Sequence, residues 1–282
     1  MSFRTRFAPS PTGPLHLGHA YSAMLAHDMA RAQGGEFLLR IEDIDTTRSR
    51  PEWEEKIYDD LRWLGLSWEE PVMRQSERMD AYTTALTQLW NAGLLFKCTC
   101  NRRDIAEAAT APQEGTPRYG PDGVIYPGTC RERYQRTRTM PLGAALRLDM
   151  KKVSQIIDRV VFQEAERDVA QHSYVPEFMC QSVGDVVLAR RDMGTSYHLS
   201  VVVDDAEQGI THVVRGEDLF DATQIHVVLQ RLLNLPTPAY YHHRLIRDDV
   251  GKRLAKRDDA RAISKYRADG ASPADVRQMI GL

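Results

Sequence analysis

The first part of the chain alternates between short apolar runs and longer stretches with helical periodicity. Residues 3–8 predict a buried strand, and residues 9–14, with three prolines and a glycine, predict a loop. From Leu15 onward apolar side chains recur on one helical stripe, which the double glycine at 34–35 ends. A second strand is predicted over residues 36–41. Strand, glycine-containing loop, helix and strand in this order predict an α/β fold with a parallel sheet of the Rossmann type.

Two amphipathic helices are predicted next, one beginning at Pro51 and one capped by Ser76. Residues 98–140 then lose periodicity and are rich in Gly, Pro, Thr and Arg, which is typical of an inserted, loop-rich subdomain. An apolar helix is predicted from about Leu219 to Leu233. Strand-like runs precede it and predict that the sheet resumes over residues 185–188, 199–203 and 211–214.

Composition places the chain among ordinary globular proteins. Of 282 residues 42% are hydrophobic and 27% charged, and 37 Lys and Arg stand against 39 Asp and Glu, for a net charge of −2. Contact with RNA would therefore need local basic patches. The chain has no run of 18 apolar residues and no apolar signal region after Met1, so a cytoplasmic location is the default expectation. We also expect a monomer.

The first chemical motif consists of two histidines, His16 and His19, that flank Gly18 in the first turn of the first predicted helix. Imidazole nitrogens can donate to phosphate oxygens, the glycine lets an adenine ring approach the backbone, and the positive end of the helix dipole attracts anions. On spacing alone the pair also suits a metal site or an ordinary surface. The complete string after a strand is more specific and predicts nucleotide binding.

That string, Arg6-Phe-Ala-Pro-Ser-Pro-Thr-Gly-Pro-Leu-His-Leu-Gly-His19, resembles the signature of class I aminoacyl-tRNA synthetases, and within them of the glutamyl/glutaminyl group. Its last four residues match the family's His-Ile-Gly-His motif with one conservative change. The resemblance covers essentially the whole chain. It implies ATP-dependent activation of L-glutamate, with Mg²⁺ accompanying ATP, and it implies ATP-binding and catalytic roles for His16 and His19 and an ATP-binding role for Gly18.

A late basic segment, Arg253-Leu-Ala-Lys256-Arg257, is similar to the family's Lys-Met-Ser-Lys-Ser motif. Lys256 matches the catalytic, ATP-binding lysine, whose ammonium can neutralise charge on the α-phosphate as pyrophosphate leaves. Two positions depart from the motif, because Arg253 replaces the first lysine and Ala255 lacks the hydroxyl. From the residues alone, such a segment is also typical of a basic surface.

The resemblance further implies a glutamate site. Arginine suits carboxylate recognition through its rigid fork of donors, which makes Arg6 and Arg215 candidates from chemistry alone. Glu42 would hold the ammonium group and Tyr197 would line the pocket, although Tyr197 also suits a packing role. The residues implied by the family motif are Arg6, Phe7, Ala8, Pro9, Ser10, Glu42, Tyr197 and Arg215.

Two acidic residues just after Glu42 leave two interpretations open. Asp43 and Asp45 suit a Mg²⁺ site, or a structured polar loop in which Arg48 is the partner, and the sequence favours the loop.

A second cluster has the residue types of a metal site. Cys98 and Cys100 lie one residue apart, and Tyr126 precedes Cys130 by four positions. Zinc takes four tetrahedral ligands, and three cysteines leave one place open. The resemblance to short glutamyl-synthetase-like proteins implies that Cys98, Cys100, Tyr126 and Cys130 bind one structural Zn²⁺ in the inserted subdomain. Free thiols in a loop are the alternative, and Cys180 is expected to be a buried small residue.

These expectations give a domain plan. A Rossmann-type catalytic domain over residues 1–237 would be interrupted at about 95–182 by an acceptor and zinc-binding subdomain, and a short helical C-terminal region over 238–282 would carry the Lys256 segment. We expect no anticodon-binding domain, because only 25 residues follow Arg257.

The same resemblance implies a particular acceptor. It is closest to the branch of the family that activates glutamate without tRNA and transfers it to queuosine in the anticodon loop of tRNA(Asp). Two alternatives stay open: a minimal synthetase that charges a tRNA 3′ end with glutamate, and an inactive paralogue that binds RNA.

Overall fold

The computed structural model describes residues 2–110, 119–133, 137–165, 171–247 and 261–282. Within these residues the strands are β1 (Arg4–Phe7), β2 (Glu36–Ile41), β3 (Glu69–Arg74), β4 (Leu95–Cys98), β5 (Tyr119–Gly120), β6 (Gly123–Val124), β7 (Ala145–Leu148), β8 (Val160–Gln163), β9 (Gln171–Tyr174), β10 (Val187–Ala189), β11 (His212–Gly216) and β12 (Ala239–His243). The helices are α1 (Leu17–Ala32), α2 (Pro51–Trp63), α3 (Met79–Asn91), α4 (Arg102–Thr110), α5 (Met150–Val153), α6 (Pro176–Ser182), α7 (Tyr197–Glu207), α8 (Thr223–Leu232), α9 (Ile263–Ala268) and α10 (Pro273–Ile280). None of these described helices has the length and apolar character needed to cross a membrane.

The central layer is parallel, as predicted. β1 pairs with β2 and β2 with β3, while β11 pairs with β12, all in parallel. The two groups meet at β1 and β11, where the Thr211 backbone N–H donates to the Arg4 carbonyl at 3.0 Å and the Arg4 N–H donates to Thr211 Oγ1 at 2.8 Å. The spatial order is therefore β3-β2-β1-β11-β12, with β1 in the middle.

Helix α1 crosses from β1 to β2 and buries a face of small residues. Ala20, Ala23 and Ala26 are fully buried, and the strand it covers contributes Phe37 and Leu39, also fully buried. Small side chains on the helix let it approach the sheet closely, and the larger strand residues fill the layer between them. Replacing Phe37 by alanine would cost about 3–5 kcal/mol for this reason.

The insertion forms a separate antiparallel sheet in the order β10-β7-β4, and two hairpins, β5-β6 and β8-β9, accompany it. The prediction that residues 185–188 resume the parallel sheet is therefore wrong. β10 begins at Val187 and pairs with β7 instead. A short apolar strand shows its own conformation in the sequence but not its partner, since nothing local identifies which sheet edge it joins.

A second prediction is also wrong: residues 199–203 belong to helix α7 and not to a strand. The run Leu-Ser-Val-Val-Val is rich in β-branched residues, which favour strands. α7 is buried on nearly all sides, including Ser200, Asp204 and Asp205, so it lacks the amphipathic stripe that marks a surface helix.

Ser76 does not cap α3, contrary to the prediction. The cap position is Arg78, and Ser76 lies in a short 3-10 turn, where its N–H and Oγ donate to the Asp43 carboxylate at 2.8 and 2.6 Å. Ser76 thus satisfies a carboxylate of the neighbouring loop, a tertiary contact that local sequence signals do not contain.

Candidate active site

A cavity of about 410 Å³ opens where β1 and β11 end. The carboxyl ends of parallel strands meet at one edge of a sheet, so loops that are distant in sequence converge there. The lining contains all the predicted nucleotide- and glutamate-site residues in the described chain, namely Arg6, Phe7, Ala8, Pro9, Ser10, His16, Gly18, His19, Glu42, Tyr197 and Arg215. The predicted Lys256, with Arg253, Ala255 and Arg257, lies outside the described residues.

The two histidines cap helix α1 reciprocally. His16 Nδ1 accepts from the Gly18 N–H at 3.1 Å, and His19 Nδ1 accepts from the His16 N–H at 3.2 Å. Because a neutral imidazole has one hydrogen, each ring then carries it on Nε2, as a donor. The ring centroids lie 3.8 Å apart, and a Cβ at position 18 would lie 3.1 Å from the His16 ring. The first turn of α1 thus combines two imidazole donors with the positive end of a helix.

A buried carboxylate on α7 joins two guanidinium groups. Asp205 accepts from Arg6 Nε at 2.9 Å and from Arg40 Nη1 at 2.7 Å, and Arg40 is completely buried. Burial raises the pKa of Asp205, but the charges of Arg6 and Arg40 outweigh that effect and hold the pKa below its ordinary value. The pair of arginines is therefore fixed around an ionised aspartate.

Glu42 completes this network at the end of β2. Its carboxylate accepts from Arg40 Nη2 at 3.2 Å and faces the cavity. Burial raises the pKa of Glu42, although the charges of Arg40 and Arg6 oppose the rise. As a carboxylate at the cavity wall it is suited to an ammonium group.

Arg215 differs from the other two arginines because its partners are neutral. Its Nε donates to His242 Nε2 at 3.1 Å and its Nη1 to His226 Nδ1 at 3.0 Å, while Nη2 donates to Thr223 Oγ1 at 2.7 Å and to the Leu219 carbonyl at 3.2 Å. Only 5% of Arg215 is exposed. Within the described part of the chain it forms no direct ion pair with a carboxylate.

Tyr197 begins α7 beside this arginine. Its ring lies 5.7 Å from the His226 ring, centroid to centroid, and burial raises its pKa. Tyr197 packs against the histidine and also lines the cavity. The packing role and the pocket-lining role that the sequence left open are therefore compatible.

The acidic residues after Glu42 form a structured loop. Asp45 accepts from Arg48 Nε and from Thr47 Oγ1, each at 2.6 Å, and these bonds lower its pKa. Asp43 is occupied by Ser76. Arg48 is thus the partner of Asp45, as the loop interpretation predicted.

The cysteine cluster lies in the insertion, between β4 and the turn that follows β6. The sulfurs of Cys98, Cys100 and Cys130 lie within 4.8 Å of one another, and those of Cys100 and Cys130 are 3.5 Å apart. The Tyr126 hydroxyl lies 3.6 Å from the sulfurs of both Cys98 and Cys100 and accepts from the Cys130 N–H at 2.8 Å. The four predicted ligands are thus neighbours. Cys180 is partly buried elsewhere, with its sulfur donating to the Met150 carbonyl.

This fold and cavity agree with known proteins. Residues 2–282 match the family described as tRNA synthetases class I (E and Q), catalytic domain. The chain belongs to the class I tRNA synthetases. The predicted resemblance and the α/β fold class with a parallel sheet are confirmed by this match.

Individual relatives of this synthetase domain point to a branch of the family. A glutamyl-Q tRNA(Asp) synthetase of Rhodobacter capsulatus is 64% identical over 282 residues, 99% of this chain and of that protein. A glutamyl-Q tRNA(Asp) synthetase of Nocardia farcinica is 43% identical. The matched region covers 98% of this chain and 82% of that protein.

Solved structures give the same picture. A glutamate tRNA ligase of Elizabethkingia meningosepticum, in complex with its amino acid, superposes with a TM-score of 0.78 at 27% identity over 99% of this chain. This chain spans about 60% of the length of that ligase. A methionyl-tRNA synthetase of Mycobacterium tuberculosis, at 12% identity and a TM-score of 0.59, shares the fold.

Several side chains that organise this synthetase site were absent from the sequence-based prediction. Arg40 sits in the middle of the apolar strand Glu-Phe-Leu-Leu-Arg-Ile, and Asp204-Asp205 directly follow an apolar run. Charged residues inside apolar elements signal buried ion pairs, since an unpaired buried charge is costly. His226 and His242 gave no such signal, because their role depends on contacts to Arg215 across α8 and β12.

Proposed function

We propose that this chain activates L-glutamate with ATP, without tRNA, and transfers the glutamate to queuosine in the anticodon loop of tRNA(Asp). Membership in the class I tRNA synthetases supports the activation chemistry. The shared full-length similarity to proteins named glutamyl-Q tRNA(Asp) synthetase supports the acceptor. Action in the cytoplasm as a monomer is part of this proposal.

The observation that carries the glutamate assignment is the charge of the cavity walls. Arg6 and Arg40 share the carboxylate of Asp205 and Arg40 also pairs with Glu42, whereas Arg215 is hydrogen-bonded to neutral partners only. Glutamate at neutral pH carries one net negative charge, whereas glutamine carries none. A side-chain carboxylate at Arg215 would give this guanidinium a direct ion-pair partner, and Glu42 would attract the ammonium group.

The reaction follows from this placement. An oxygen of the α-carboxylate forms a bond to the α-phosphorus of ATP while the bond from that phosphorus to pyrophosphate breaks, giving glutamyl-adenylate. His16 and His19 would donate from Nε2 to phosphate oxygens, and Lys256 would neutralise charge as pyrophosphate leaves. Mg²⁺ bound with ATP supplies further positive charge to the phosphates.

The insertion is proposed to bind one structural Zn²⁺. At a metal–sulfur distance of about 2.3 Å, tetrahedral geometry separates two sulfurs by about 3.8 Å. The 3.5 Å between Cys100 and Cys130, and the 3.6 Å from Tyr126 Oη to two sulfurs, are close to that edge. The residues therefore fit zinc, which would join β4 to the loop that carries Tyr126 and Cys130.

The domain plan is likewise a proposal. Strands β4 and β7 and the two hairpins lie within residues 95–182 and support an inserted subdomain, whose antiparallel sheet continues through β10 beyond residue 182. β12 pairs with β11, so we propose that the catalytic domain extends past residue 237 through this strand, and that the remaining C-terminal region carries the Lys256 segment.

The decisive experiment measures two steps separately. Glutamate-dependent exchange of pyrophosphate into ATP, without tRNA, should occur with glutamate and not with glutamine. Labelled glutamate should then enter tRNA(Asp) that carries queuosine and not the unmodified tRNA. Charging of tRNA(Glu) would instead support the minimal glutamyl-tRNA synthetase, which the likeness to the solved glutamate tRNA ligase favours. Absence of exchange would support the inactive paralogue.

A further inference from the structure

Arg215 is held on one side by an imidazole that is itself held by a buried carboxylate. His242 Nδ1 hydrogen-bonds to Glu164 Oε2, and the His242 backbone N–H donates to Glu164 Oε1 at 3.0 Å. Because Arg215 Nε is a donor, His242 Nε2 must accept, and the imidazole hydrogen lies on Nδ1, facing Glu164. Glu164, only 1% exposed, therefore selects the His242 tautomer that offers a lone pair to Arg215.

Glu164 comes from the insertion and is held against the parallel sheet. It directly follows β8 and forms an isolated parallel bridge with Tyr240 of β12, where the Ala165 N–H donates to the Tyr240 carbonyl at 2.8 Å. The backbone on both sides of the Glu164–His242 contact is thus fixed, so the carboxylate is rigidly placed.

A second chain of hydrogen bonds reaches Arg215 at Nη1. His226 Nδ1 accepts from Arg215 Nη1, so its hydrogen lies on Nε2 and donates to His198 Nδ1 at 3.1 Å. His198 then carries its own hydrogen on Nε2, which lies 3.3 Å from Asp122 Oδ1. Asp122 sits in the turn between β5 and β6 of the insertion. Both chains end in a carboxylate that does not itself touch Arg215.

Resting on the proposed glutamate site, we propose that Glu164 and Asp122 are positioning residues that act through His242 and through His198–His226 to keep Arg215 oriented and without a direct carboxylate partner. Two neutral imidazoles hold the guanidinium by hydrogen bonds without neutralising it. The carboxylates stay one or two side chains away, where they fix tautomers but cannot replace the ligand's carboxylate. The arrangement selects glutamate over glutamine, since only glutamate brings a side-chain carboxylate that can pair with Arg215.

His226 allows a sharp test because position 226 is almost fully buried. In His226→Gln the amide oxygen can still accept from Arg215, whereas His226→Leu fills similar space with no acceptor. A merely structural role predicts that buried Leu is tolerated at least as well as Gln. The proposal predicts the opposite order for glutamate affinity. It should fall at least about tenfold in His226→Leu and by a smaller factor in His226→Gln. Gln224→Leu, on the same helix with its amide bonded to the Asp221 carbonyl, is the matched control.

The experiment measures glutamate and glutamine affinity by calorimetry, with the KM values for glutamate and ATP in pyrophosphate exchange and the midpoint of thermal unfolding. We expect His226→Leu and Glu164→Gln to raise the glutamate KM about tenfold or more, with the ATP KM unchanged. Both variants should also reduce the ratio of glutamate affinity to glutamine affinity. Asp122→Asn, at the far end of the longer chain, should act in the same direction and more weakly.

Equal glutamate affinity in His226→Leu and His226→Gln would overturn the positioning role while leaving the proposed function intact. So would parallel increases in the KM values for glutamate and ATP, because a general loss of structure does not distinguish the two substrates. Failure of the wild-type protein to bind glutamate would overturn the proposed function and this inference together.

Discussion

Asp205 and Arg6 form a buried ion pair at 2.9 Å although 199 positions separate them in the sequence. The aspartate comes from α7 and the arginine from β1, so this contact holds α7 against the middle strand of the parallel sheet, next to the cavity that Arg6 lines. Arg40 shares the same carboxylate oxygen. Asp205 therefore supports both the fold and the proposed glutamate site.

Asp205→Asn should destabilise the protein by about 3–5 kcal/mol, because it leaves two buried guanidiniums with Glu42 as their remaining carboxylate. The pKa of Asp205 is lowered in the folded state, so its contribution is present above its ordinary pKa of 3.8 and is lost as the pH falls through the folded value. The difference in free energy of unfolding between variant and wild type, measured in urea, should accordingly become smaller under strongly acidic conditions. Asp28→Asn, which breaks a half-exposed pair with Arg277, is the control and should cost less than about 1 kcal/mol.

Glu42 should make glutamate binding sensitive to acid. Its pKa is raised by burial above the ordinary 4.5, and only the ionised form attracts an ammonium group. The glutamate KM should therefore rise as the pH falls toward and through that raised value, before the ligand's own side chain titrates. Glu42→Gln should raise the KM on the order of tenfold at pH 8 and flatten this profile. A variant profile as steep as that of the wild type would show that another group is responsible.

The metal proposal predicts about one zinc ion per chain, measured by atomic absorption. Cys98→Ser and Cys130→Ser should lose most of it, and Tyr126→Phe should bind zinc more weakly if the hydroxyl is the fourth ligand. Chelation should make the three clustered thiols newly reactive toward a thiol reagent. Cys180→Ser is the matched control, since its sulfur lies with Met150, and it should keep the full zinc content. Loss of zinc in that variant would contradict the assignment.

Ionisation of Asp60 should lower the free energy of unfolding as the pH rises. It is buried on α2, and burial together with the neighbouring Asp59 raises its pKa to about 6, against the opposing charges of Arg267 and Lys56. A raised folded pKa means that the favourable contribution is complete below 3.8 and is lost as the pH rises through about 6. Asp60→Asn should therefore match the wild type near pH 4 and exceed its stability by about 1–2 kcal/mol above pH 7. Equal differences at both pH values would argue against titration of this carboxyl.

Lys256→Ala should depress pyrophosphate exchange far more than it weakens glutamate binding. The resemblance assigns its ammonium to charge that develops as pyrophosphate leaves, an interaction made mainly in the transition state. Exchange rates and calorimetric glutamate affinity, measured on the same preparation, separate the two effects. Proportional losses in both would mean that Lys256 only binds substrate.

The sequence predicted the site better than the surrounding elements. Prolines and glycines are local signals, so the loop before α1 and the strand–helix–strand unit were predictable, and the family motif supplied the cavity residues. The conformation of α7 was not predictable, because a helix buried all round has no polar face to show its period. The partners of Arg215 were equally hidden, since hydrogen bonds between His226, His242 and an arginine on another strand depend on tertiary placement alone.

The sheet order has a consequence for the timing of folding. β1 emerges first from the ribosome, yet its neighbour β11 is made some two hundred residues later. Until then Arg6 and Arg40 lack Asp205, and the cavity has no far wall. Binding of glutamate or ATP therefore cannot stabilise the nascent chain. Such stabilisation begins only after strands β11 and β12 have packed beside β1.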